Sequence, residues 1–540
     1  MHYVASSLLS LIQSVLSCIR VNLSSSVFQC NSQVFPDGIS VDPTSGHFVD
    51  SYGRVRLFHG INAVYKEAPW LPRVDNFSAE ESLDSTTIEL LKEWGFNVVR
   101  LGVMWPGVEP EPRRIDGSYL HRAKHLTREL AERGIYTIAD LHQDLGSSHF
   151  CGEGFPEAYV DALLQDPRSR LAQAPLFPEP LGTLPRNASG LPVREECLKR
   201  LFSDYYSTFQ VGALWAELYR EGSELYEGFL RYWAAVAKEF KDEPQLVAFE
   251  LLNEPSDACL EARTAPGCLS GQAIPVRFNN DVEVHKLMPL YQAAARAIRG
   301  AGAPQVILYE PTVWPKIGAQ VFPGPVLNDT KQGLAYHIYC APGDGRSFAA
   351  GLLCDAAQSI FERTFYPFLQ RNKRLAGFMT EFGAVGGSSR ELEHLSHLLD
   401  AADEHLQSWT YWQLKKFKDF TTANAQEPLF RPDGQVETEK LRALSRTYAF
   451  ATAGIPTKMR FDQSGAFELD FVATVQDAPT EIFLNEALHY PTGYSISVDP
   501  SNCLNVQKAQ RNYLNLTLAN SACLGQLLKV RLWPSTTQIV

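Results

Sequence analysis

Two apolar segments of the chain end in carboxylates. The segment LVAFELLNEP (246–255) ends in Asn253, Glu254 and a proline, and the segment LAGFMTEFG (375–383) carries Glu381 near its end. Two facing carboxyl groups suit cleavage of a glycosidic bond, because one protonates the leaving oxygen while the other attacks the anomeric carbon or activates water. The two glutamates are therefore a candidate catalytic pair if the fold brings the two segment ends together.

Other polar and aromatic residues also lie at the ends of apolar runs. They are Asn62, Arg100, His142, Asp144, His337, Tyr339 and Trp412. Taken alone, several of these positions have a structural interpretation. Glu254 could cap a helix, Glu381 could pair with Arg100, and Trp412 could be a core residue. Their shared position at the ends of apolar runs favours one common site.

The elements that must position these residues are short apolar runs that alternate with amphipathic stretches. The candidate strands are 56–63, 97–105, 135–144, 246–255, 305–311, 333–340, 375–384 and 408–415. Helical spacing of apolar residues, as in 119–134 and 285–300, occurs between them. Strands that are buried on both faces and separated by helices predict an α/β protein with a parallel (β/α)8 barrel, which we place at 26–454. Residues at the carboxyl ends of barrel strands line the active site.

Two further regions depart from the barrel pattern. A long connection separates the third and fourth candidate strands, and we assign an insertion to about 145–221. Because it follows the carboxyl end of a strand, the insertion is expected to overhang the active face. After residue 454, short alternating segments broken by Pro, Asn and Gly predict a C-terminal antiparallel β-sandwich over 455–540.

Composition and motifs exclude several classes of function. The 540 residues carry a net charge of −12, and this charge argues against a nucleic-acid surface, because phosphate binding needs a local excess of Lys and Arg. No G-x-S-x-G motif of a serine hydrolase is present in the sequence. His142, Asp144 and His337 are metal-ligand types without a diagnostic spacing, so we expect neither a metal nor another cofactor.

The N-terminus and the cysteines favour a secreted protein. Residues 1–25 contain a short apolar, Ser-rich stretch without a basic start, which predicts a signal peptide; the alternative is an unstructured tail. No second apolar segment reaches the ~20 residues that cross a bilayer. Glycosylation sequons begin at Asn22, Asn76, Asn187, Asn328 and Asn515.

Ten cysteines fit an oxidising compartment. Six of them form neighbouring pairs in the sequence: Cys259 with Cys268, Cys340 with Cys354, and Cys503 with Cys523. Disulfide connectivity cannot be deduced from sequence, so pairing between these neighbours is a hypothesis.

The ordered motifs resemble a known family. NEP at the end of the fourth strand and EFG at the end of the seventh resemble glycoside hydrolase family 5, a family of retaining enzymes with a (β/α)8 barrel. Within it, GINAVYKEAP, DLHQD, FCGEGFP, YHIYC and TEFGA together resemble the endoglycoceramidases, which cut the bond between the oligosaccharide and the ceramide of a glycosphingolipid. The resemblance spans residues 54–415, and the C-terminal sandwich is similar too.

The resemblance implies a role for each matching residue. Glu254 would be the acid/base and Glu381 the nucleophile, with carboxyl groups about 5–5.5 Å apart. Asn253 would hold the sugar 2-hydroxyl, and Arg100 would keep Glu381 ionised. The first glycan subsites would be lined by Lys66, His142, Asp144, His337, Tyr339 and Trp412.

The resemblance also implies a setting. The substrate would be a glycosphingolipid at a membrane or micelle surface, and the enzyme a monomer in a secreted, lysosomal or digestive compartment. An activator protein or a detergent-like lipid is a candidate helper. Two alternatives remain open: a β-glucanase or a β-glucosidase acting on another glucoside such as a steryl glucoside, and a non-catalytic glycolipid-binding protein. The retained pair of glutamates favours an enzyme.

A ceramide tail would require an apolar surface near the active face. The insertion supplies four apolar candidates: Phe209, Val211, Leu214 and Trp215. They either line a lipid groove or dock a helix onto the barrel, and the sequence leaves both interpretations open.

Overall fold

The computed structural model describes most of the chain. The described ranges are 38–174, 184–200, 205–206, 208–256, 282–312, 322–339, 359, 362–421 and 426–535. The expected signal peptide at 1–25 lies outside these ranges. So do the hypothetical cysteine pairs Cys259–Cys268 and Cys340–Cys354.

Eight parallel strands form a closed barrel, which confirms the predicted fold class. In chain order they are β1 His59–Ala63, β2 Val98–Gly102, β3 Tyr136–Asp140, β4 Leu246–Glu250, β5 Val306–Tyr309, β6 Gln332–Ile338, β7 Ala376–Phe382 and β8 Ser408–Tyr411. Each strand pairs with its neighbours in the sequence, and β8 closes the barrel onto β1. Each of the eight candidate strands therefore corresponds to a barrel strand.

Burial explains why these segments form a barrel. In β1, β2, β3 and β4 every residue is buried, as a strand covered on both faces requires. Gly60 allows β1 and β2 to approach closely, because a Cβ at that position would lie 2.0 Å from the carbonyl oxygen of Val98. At the starts of the strands, a buried apolar cluster that includes Phe58, Tyr136 and Phe378 fills the barrel.

Helices surround the barrel. Their bounds are Ser85–Glu93, Trp105–Val108, Gly117–Ala131, Glu224–Phe240, Met288–Gly300, 362–371, Ser389–Glu404 and Thr438–Leu444. A π-helical turn, Glu283–Leu287, precedes Met288–Gly300. The helices predicted at 119–134 and 285–300 are thereby confirmed to within a few residues. Among the described residues, no helix combines the length and the hydropathy that would carry it across a membrane.

The insertion between β3 and β4 contains short elements. Its described elements are Leu145–Gly146, Ser148–Phe150, Glu153–Gly154, Glu157–Gln165, Arg170–Gln173, Arg194–Cys197 and Phe209–Leu218. A disulfide joins Cys151 to Cys197 across the insertion, a pairing that the sequence did not suggest.

The apolar candidates for a lipid groove lie in the helix Phe209–Leu218. Val211, Leu214 and Trp215 are fully buried, and the Trp215 ring packs 5.6 Å from the ring of Phe155. Their side chains dock the helix onto the molecule. The lipid-groove interpretation of these three residues is therefore wrong.

The C-terminal region is antiparallel, as predicted, and forms two sheets. The four-stranded sheet contains Gly454–Phe461, Phe467–Ala473, Leu527–Pro534 and Tyr494–Asp499. The seven-stranded sheet contains Ser40–Val41, Phe48–Val49, Val55–Arg56, Tyr448–Thr452, Thr480–Phe483, Tyr513–Leu518 and Leu504–Gln510. Strands from before the barrel thus complete a sheet of the C-terminal region. The domain limits set from the sequence remain a prediction.

Two features hold the C-terminal region in place. The disulfide Cys503–Cys523 confirms the local pairing expected there. Arg446 is buried between the barrel helix Ser389–Glu404 and the sheets: its Nε lies 3.0 Å from Asp403 Oδ2, and its Nη2 donates to the carbonyl of Phe461.

Candidate active site

Polar side chains from several strand ends meet at Arg100. This arginine, in the middle of β2, is fully buried. Its Nη1 donates to Glu381 Oε1 at 2.5 Å and to Asn62 Oδ1 at 3.0 Å. Its Nη2 donates to Asn253 Oδ1 at 2.8 Å. One guanidinium therefore positions side chains from β1, β7 and the segment after β4, because its five donors form a rigid fork.

Two acidic residues inside the barrel complete the partners of Arg100. Glu250 Oε2 accepts from Arg100 Nε at 2.6 Å, and Asp140 Oδ1 lies 3.1 Å from Arg100 Nη2. Burial raises the pKa of Glu250 to about 7, against the opposing charge of Arg100. Arg100 is consequently held in a ring of acidic and amide oxygens.

Glu381 accepts hydrogen bonds on both oxygens. Oε1 accepts from Arg100, and Oε2 accepts from the Tyr339 hydroxyl at 2.8 Å. Gly383, with φ of +100°, turns the chain just after β7, and a Cβ there would lie 2.3 Å from the Tyr411 ring. Donors on both oxygens hold the Glu381 carboxyl in one orientation, as a nucleophile requires.

Glu254 lies in a different environment. Its backbone adopts φ of +41°, and its N–H donates to Glu310 Oε2 at 2.8 Å. Its Oε1 lies 2.9 Å from His337 Nδ1. Burial, followed by the negative charge of Asp144, raises the pKa of Glu254 to about 7. Burial lowers the pKa of His337 to about 4, so this ring is neutral.

The two glutamates are close together. One carboxylate oxygen of Glu254, one of Glu381 and a ring nitrogen of His337 all lie within 4.8 Å of one another. Retaining glycosidases keep their carboxyl groups about 5–5.5 Å apart, whereas inverting enzymes keep them about 6.5–9.5 Å apart to admit water. Oxygens this close favour the retaining arrangement over the inverting one.

Lys66 is the centre of a second polar group beside the first. Its buried ammonium contacts Asp144 Oδ2, and it lies 3.3 Å from Asp419 Oδ1 and 3.0 Å from Thr421 Oγ1. Burial opposes its charge, but Asp144 and Asp419 outweigh burial and raise the pKa of Lys66 well above its usual value. Lys66 is therefore a fixed cation.

An aromatic platform lies beside Lys66. The Trp412 ring stacks on His142 with ring centres 5.2 Å apart, and the ammonium of Lys66 lies 4.9 Å from the Trp412 centroid. His142 Nδ1 lies 2.9 Å from Asp140 Oδ2. Burial and Lys66 oppose the charge of His142, but Asp140 outweighs them and raises the pKa to about 9. Trp412 is 3% exposed and also packs in a buried cluster with Val64 and Met104. The part of this flat ring that remains open suits a sugar.

Three sets of side chains have the ligand types of a metal site. They are His142 with Asp144 and Glu153, Glu250 with Glu310 and His337, and Glu254 with His337 and Glu381. The ammonium of Lys66 contacts Asp144 and lies 3.4 Å from Glu153 Oε1, so the first set already surrounds a cation. Glu250 and Glu381 are ion-paired with Arg100. Lys66 and Arg100 are therefore the cations that these carboxylates face.

The structure brings all of the sequence-predicted site residues into one region. Lys66, Arg100, His142, Asp144, Asn253, Glu254, His337, Tyr339, Glu381 and Trp412 are linked through these contacts. Sequence reasoning missed Glu310 and Glu153. The segment QVILYEP (305–311) ends in a glutamate, as LVAFELLNEP and LAGFMTEFG do, and that signal identifies Glu310.

Comparisons with known families place both parts of the chain. Residues 65–418 match the model "Cellulase (glycosyl hydrolase family 5)", and residues 446–531 match "Glycoside hydrolase family 5 C-terminal domain". The first match covers more than half of the chain, and the second covers most of the C-terminal sheets.

Curated relatives span most of the chain. An endoglycoceramidase from Cyanea nozakii is 29% identical over 88% of this chain and 90% of its own length. One from Hydra vulgaris is 30% identical over 86% of this chain and 84% of its own length. Endoglycoceramidase I from Rhodococcus hoagii is 30% identical over 84% of this chain and 81% of its own.

Solved structures share the fold. Endo-glycoceramidase II from Rhodococcus sp., in a ganglioside GM3 complex, superposes with a TM-score of 0.69 at 22% identity over 91% of this chain and 99% of that chain. Sterylglucosidase 1 from Cryptococcus neoformans superposes with a TM-score of 0.69 at 13% identity over 93% of this chain and 98% of that chain.

Proposed function

Because the chain belongs to glycoside hydrolase family 5, we propose that it is a retaining glycosidase that separates the oligosaccharide of a glycosphingolipid from its ceramide. The main support for this proposal is the similarity to the endoglycoceramidases of Cyanea nozakii and Hydra vulgaris, which align with 88% and 86% of this chain. The paired carboxyls of Glu254 and Glu381 support the reaction, because one oxygen of each lies within 4.8 Å of the other, which favours a retaining mechanism.

In the first step, Glu381 attacks the anomeric carbon. Arg100 and Tyr339 donate to its two oxygens and so keep it oriented for attack. Glu254 gives its proton to the glycosidic oxygen, and ceramide leaves as a neutral alcohol. The glycan is then held as an ester on Glu381.

In the second step, water replaces ceramide. Glu254, now ionised, takes a proton from this water, which attacks the anomeric carbon and releases Glu381. The product is an intact oligosaccharide with its original anomeric configuration. Because the same carboxyl must donate and then accept a proton, a pKa near 7 suits Glu254.

Glycan recognition follows from the neighbours of this pair. Asn253, held by Arg100, faces the sugar 2-hydroxyl, and His337 positions Glu254. Lys66, His142 and Asp144 bind sugar hydroxyls, and the sugar face packs on Trp412.

A second candidate is an exo-acting β-glucosidase that removes single glucose units from ceramide or a sterol. Glucosylceramidase from Cryptococcus neoformans is 31% identical to this chain, but the alignment covers only 22% of it. The much longer alignments with endoglycoceramidases favour the first candidate.

Product analysis separates the two candidates. The enzyme would be incubated with lactosylceramide, and the products would be identified by mass spectrometry at early times. We expect intact lactose and ceramide in equal amounts. Glucosylceramide would be tested in parallel. Release of glucose from glucosylceramide without cleavage of lactosylceramide would refute the endo-acting assignment and favour the exo-acting β-glucosidase.

We further propose that the protein enters the secretory pathway. It would act as a monomer at membrane or micelle surfaces, where an activator protein or a detergent-like lipid presents the substrate. The disulfides Cys151–Cys197 and Cys503–Cys523 fit an oxidising compartment. The sequon residues Asn76 and Asn328 are exposed and accessible to glycosylation. Secreted material should lose mass on treatment with a peptide N-glycosidase, and an unchanged mass would argue against this route.

A further inference from the structure

A cavity of about 390 Å³ opens between the insertion and the barrel. Its walls come from the segment after β1, which includes Lys66 and Glu67, and from two stretches of the insertion. The disulfide Cys151–Cys197, whose two cysteines line the cavity, ties these stretches together. Ligand pockets are commonly about 300–1,000 Å³, so this cavity is large enough for a small polar ligand.

Two lining residues connect the cavity to the catalytic pair. Lys66 contacts Asp144, and Asp144 belongs to the same polar cluster as His142 and Glu153. Glu153 is 3% exposed, and its Oε1 lies 3.4 Å from the Lys66 ammonium. Neither carboxylate oxygen has a hydrogen-bond partner among the described residues. A buried polar group without a hydrogen bond is costly unless a ligand or water supplies one.

Both cations that line the cavity are paired with acidic residues. Lys66 is neutralised by Asp144 and Asp419, and Arg194 contacts Glu67. Glu157 adds another carboxylate to the wall. Neither cation is left to receive an anion, because each already has an acidic partner. Burial raises the pKa of Glu153 well above its usual range, so this carboxyl is a hydrogen-bond donor as well as an acceptor.

Aromatic rings provide the apolar part of the cavity. Trp70, Phe155 and Phe420 line it, and the guanidinium of Arg194 lies 4.4 Å from the centroid of the Phe420 ring. Carboxyl groups that accept from vicinal hydroxyls, together with aromatic rings, are complementary to an uncharged sugar.

We propose that this cavity binds the outer, uncharged sugar units of the glycan and disfavours units that carry a carboxylate, such as sialic acid. The proposal rests on the proposed function, because the cavity adjoins the glycan side of the same site. Glu67 sets the preference, since it neutralises Arg194, the cation that would otherwise pair with a sugar carboxylate. The selectivity arises from the insertion and the loop after β1, which lie apart from the reacting atoms.

Direct binding tests the cavity without turnover. The Glu381→Gln protein would be titrated calorimetrically with three free glycans: lactose, a neutral trisaccharide that extends lactose, and sialyllactose. We expect the neutral trisaccharide to bind about tenfold more tightly than lactose, which corresponds to about 1.4 kcal/mol, and sialyllactose to bind no more tightly than lactose. Adding Glu153→Ala should abolish the gain from the third neutral sugar. Tighter binding of sialyllactose than of the neutral trisaccharide would overturn the proposal.

A charge change tests the role of Glu67. In Glu67→Gln, Arg194 loses its anionic partner, and the ratio of kcat/KM for sialylated over neutral substrate with the same ceramide should rise about tenfold. Glu89→Gln is the matched control: it removes the same charge from a glutamate that pairs with Arg133 and does not line the cavity. An unchanged ratio in Glu67→Gln, or an equal rise in both variants, would overturn the proposal.

These experiments separate the cavity from the reaction. If no ceramide-linked glycan is cleaved but the calorimetric pattern is found, the proposed function fails and the cavity assignment stands. If cleavage occurs but the length of the glycan has no effect on its affinity, the cavity assignment fails and the proposed function stands.

Discussion

Glu254 and Glu381 are chemically the same residue placed in opposite surroundings. Glu381 accepts from a guanidinium and a phenol, whereas Glu254 lies next to a neutral histidine and has a pKa raised to about 7 by burial and Asp144. The raised pKa suits Glu254 to the role of the acid, and the two donors orient Glu381 as the nucleophile.

The loss of activity on removing the carboxyl of Glu254 should depend on the leaving group of the substrate. Glu254→Ala should lower kcat/KM for a ceramide-linked glycan by about 10²–10⁴-fold, because the departing alcohol needs a proton. An aryl glycoside with a strongly acidic phenol should still glycosylate Glu381, which a burst of phenol release in rapid-mixing kinetics would show. Equal losses on both substrates would contradict the acid role.

The pH profile follows from the same pKa. Glu254 is protonated below about pH 7 and loses its proton above it, so kcat/KM for a ceramide-linked glycan should fall about tenfold per pH unit on the alkaline side. The activated aryl glycoside needs no proton and should lack this decline. A profile for the natural substrate that stays level to pH 9 would contradict the assignment.

At the scale of elements, the helix Phe209–Leu218 shows how little an isolated pattern determines. All of its residues after Phe209 are buried, so its apolar side chains face the molecule on every side. Such a sequence gives no one-sided stripe, and sequence alone therefore could not separate docking from a lipid surface. The contact of Trp215 with Phe155 decides in favour of docking.

Trp215→Ala should therefore act on stability. Truncation of a fully buried tryptophan leaves a cavity and should cost about 3–5 kcal/mol of unfolding free energy, measured by denaturant unfolding. Below the unfolding transition, activities on an aryl lactoside and on lactosylceramide should change by the same factor. Trp533→Ala, at a tryptophan that is 43% exposed, is the control and should change stability little. A selective loss on lactosylceramide would restore the lipid-groove interpretation.

At the scale of the whole molecule, the barrel and the C-terminal sheets share a buried ion pair. Arg446 lies against Asp403 and Asp400 of the barrel helix and against the carbonyl of Phe461. Breaking a buried pair leaves an uncompensated charge, which is far more costly than losing an exposed one.

Arg446→Ala should destabilise the molecule without changing its chemistry. We expect a loss of about 3–5 kcal/mol in unfolding free energy and an unchanged kcat at temperatures where the variant is folded. Arg460→Ala, at an exposed arginine of the four-stranded sheet, should have almost no effect on stability. Equal destabilisation by both substitutions would show that Arg446 has no special role.

The sequence was sufficient for the barrel and for most of the site. Buried strands with polar ends are a local pattern, so β1 to β8 and the residues around Glu254 and Glu381 could be predicted. The two-residue strands Ser40–Val41 and Phe48–Val49 are too short to carry a pattern, and their partners lie in or near the C-terminal sheets. The disulfide Cys151–Cys197 depends on how the insertion folds back, which spacing does not encode.

Trapping the glycosyl-enzyme is the most direct test of the central claim that Glu381 receives an intact oligosaccharide. The protein would be incubated with a 2-deoxy-2-fluoro-β-lactoside bearing an activated leaving group, and its mass and peptides would be measured. We predict an adduct of one complete disaccharide on the peptide that contains Glu381, and no adduct in Glu381→Gln. No adduct on the wild-type protein, or an adduct on any other residue, would contradict the account.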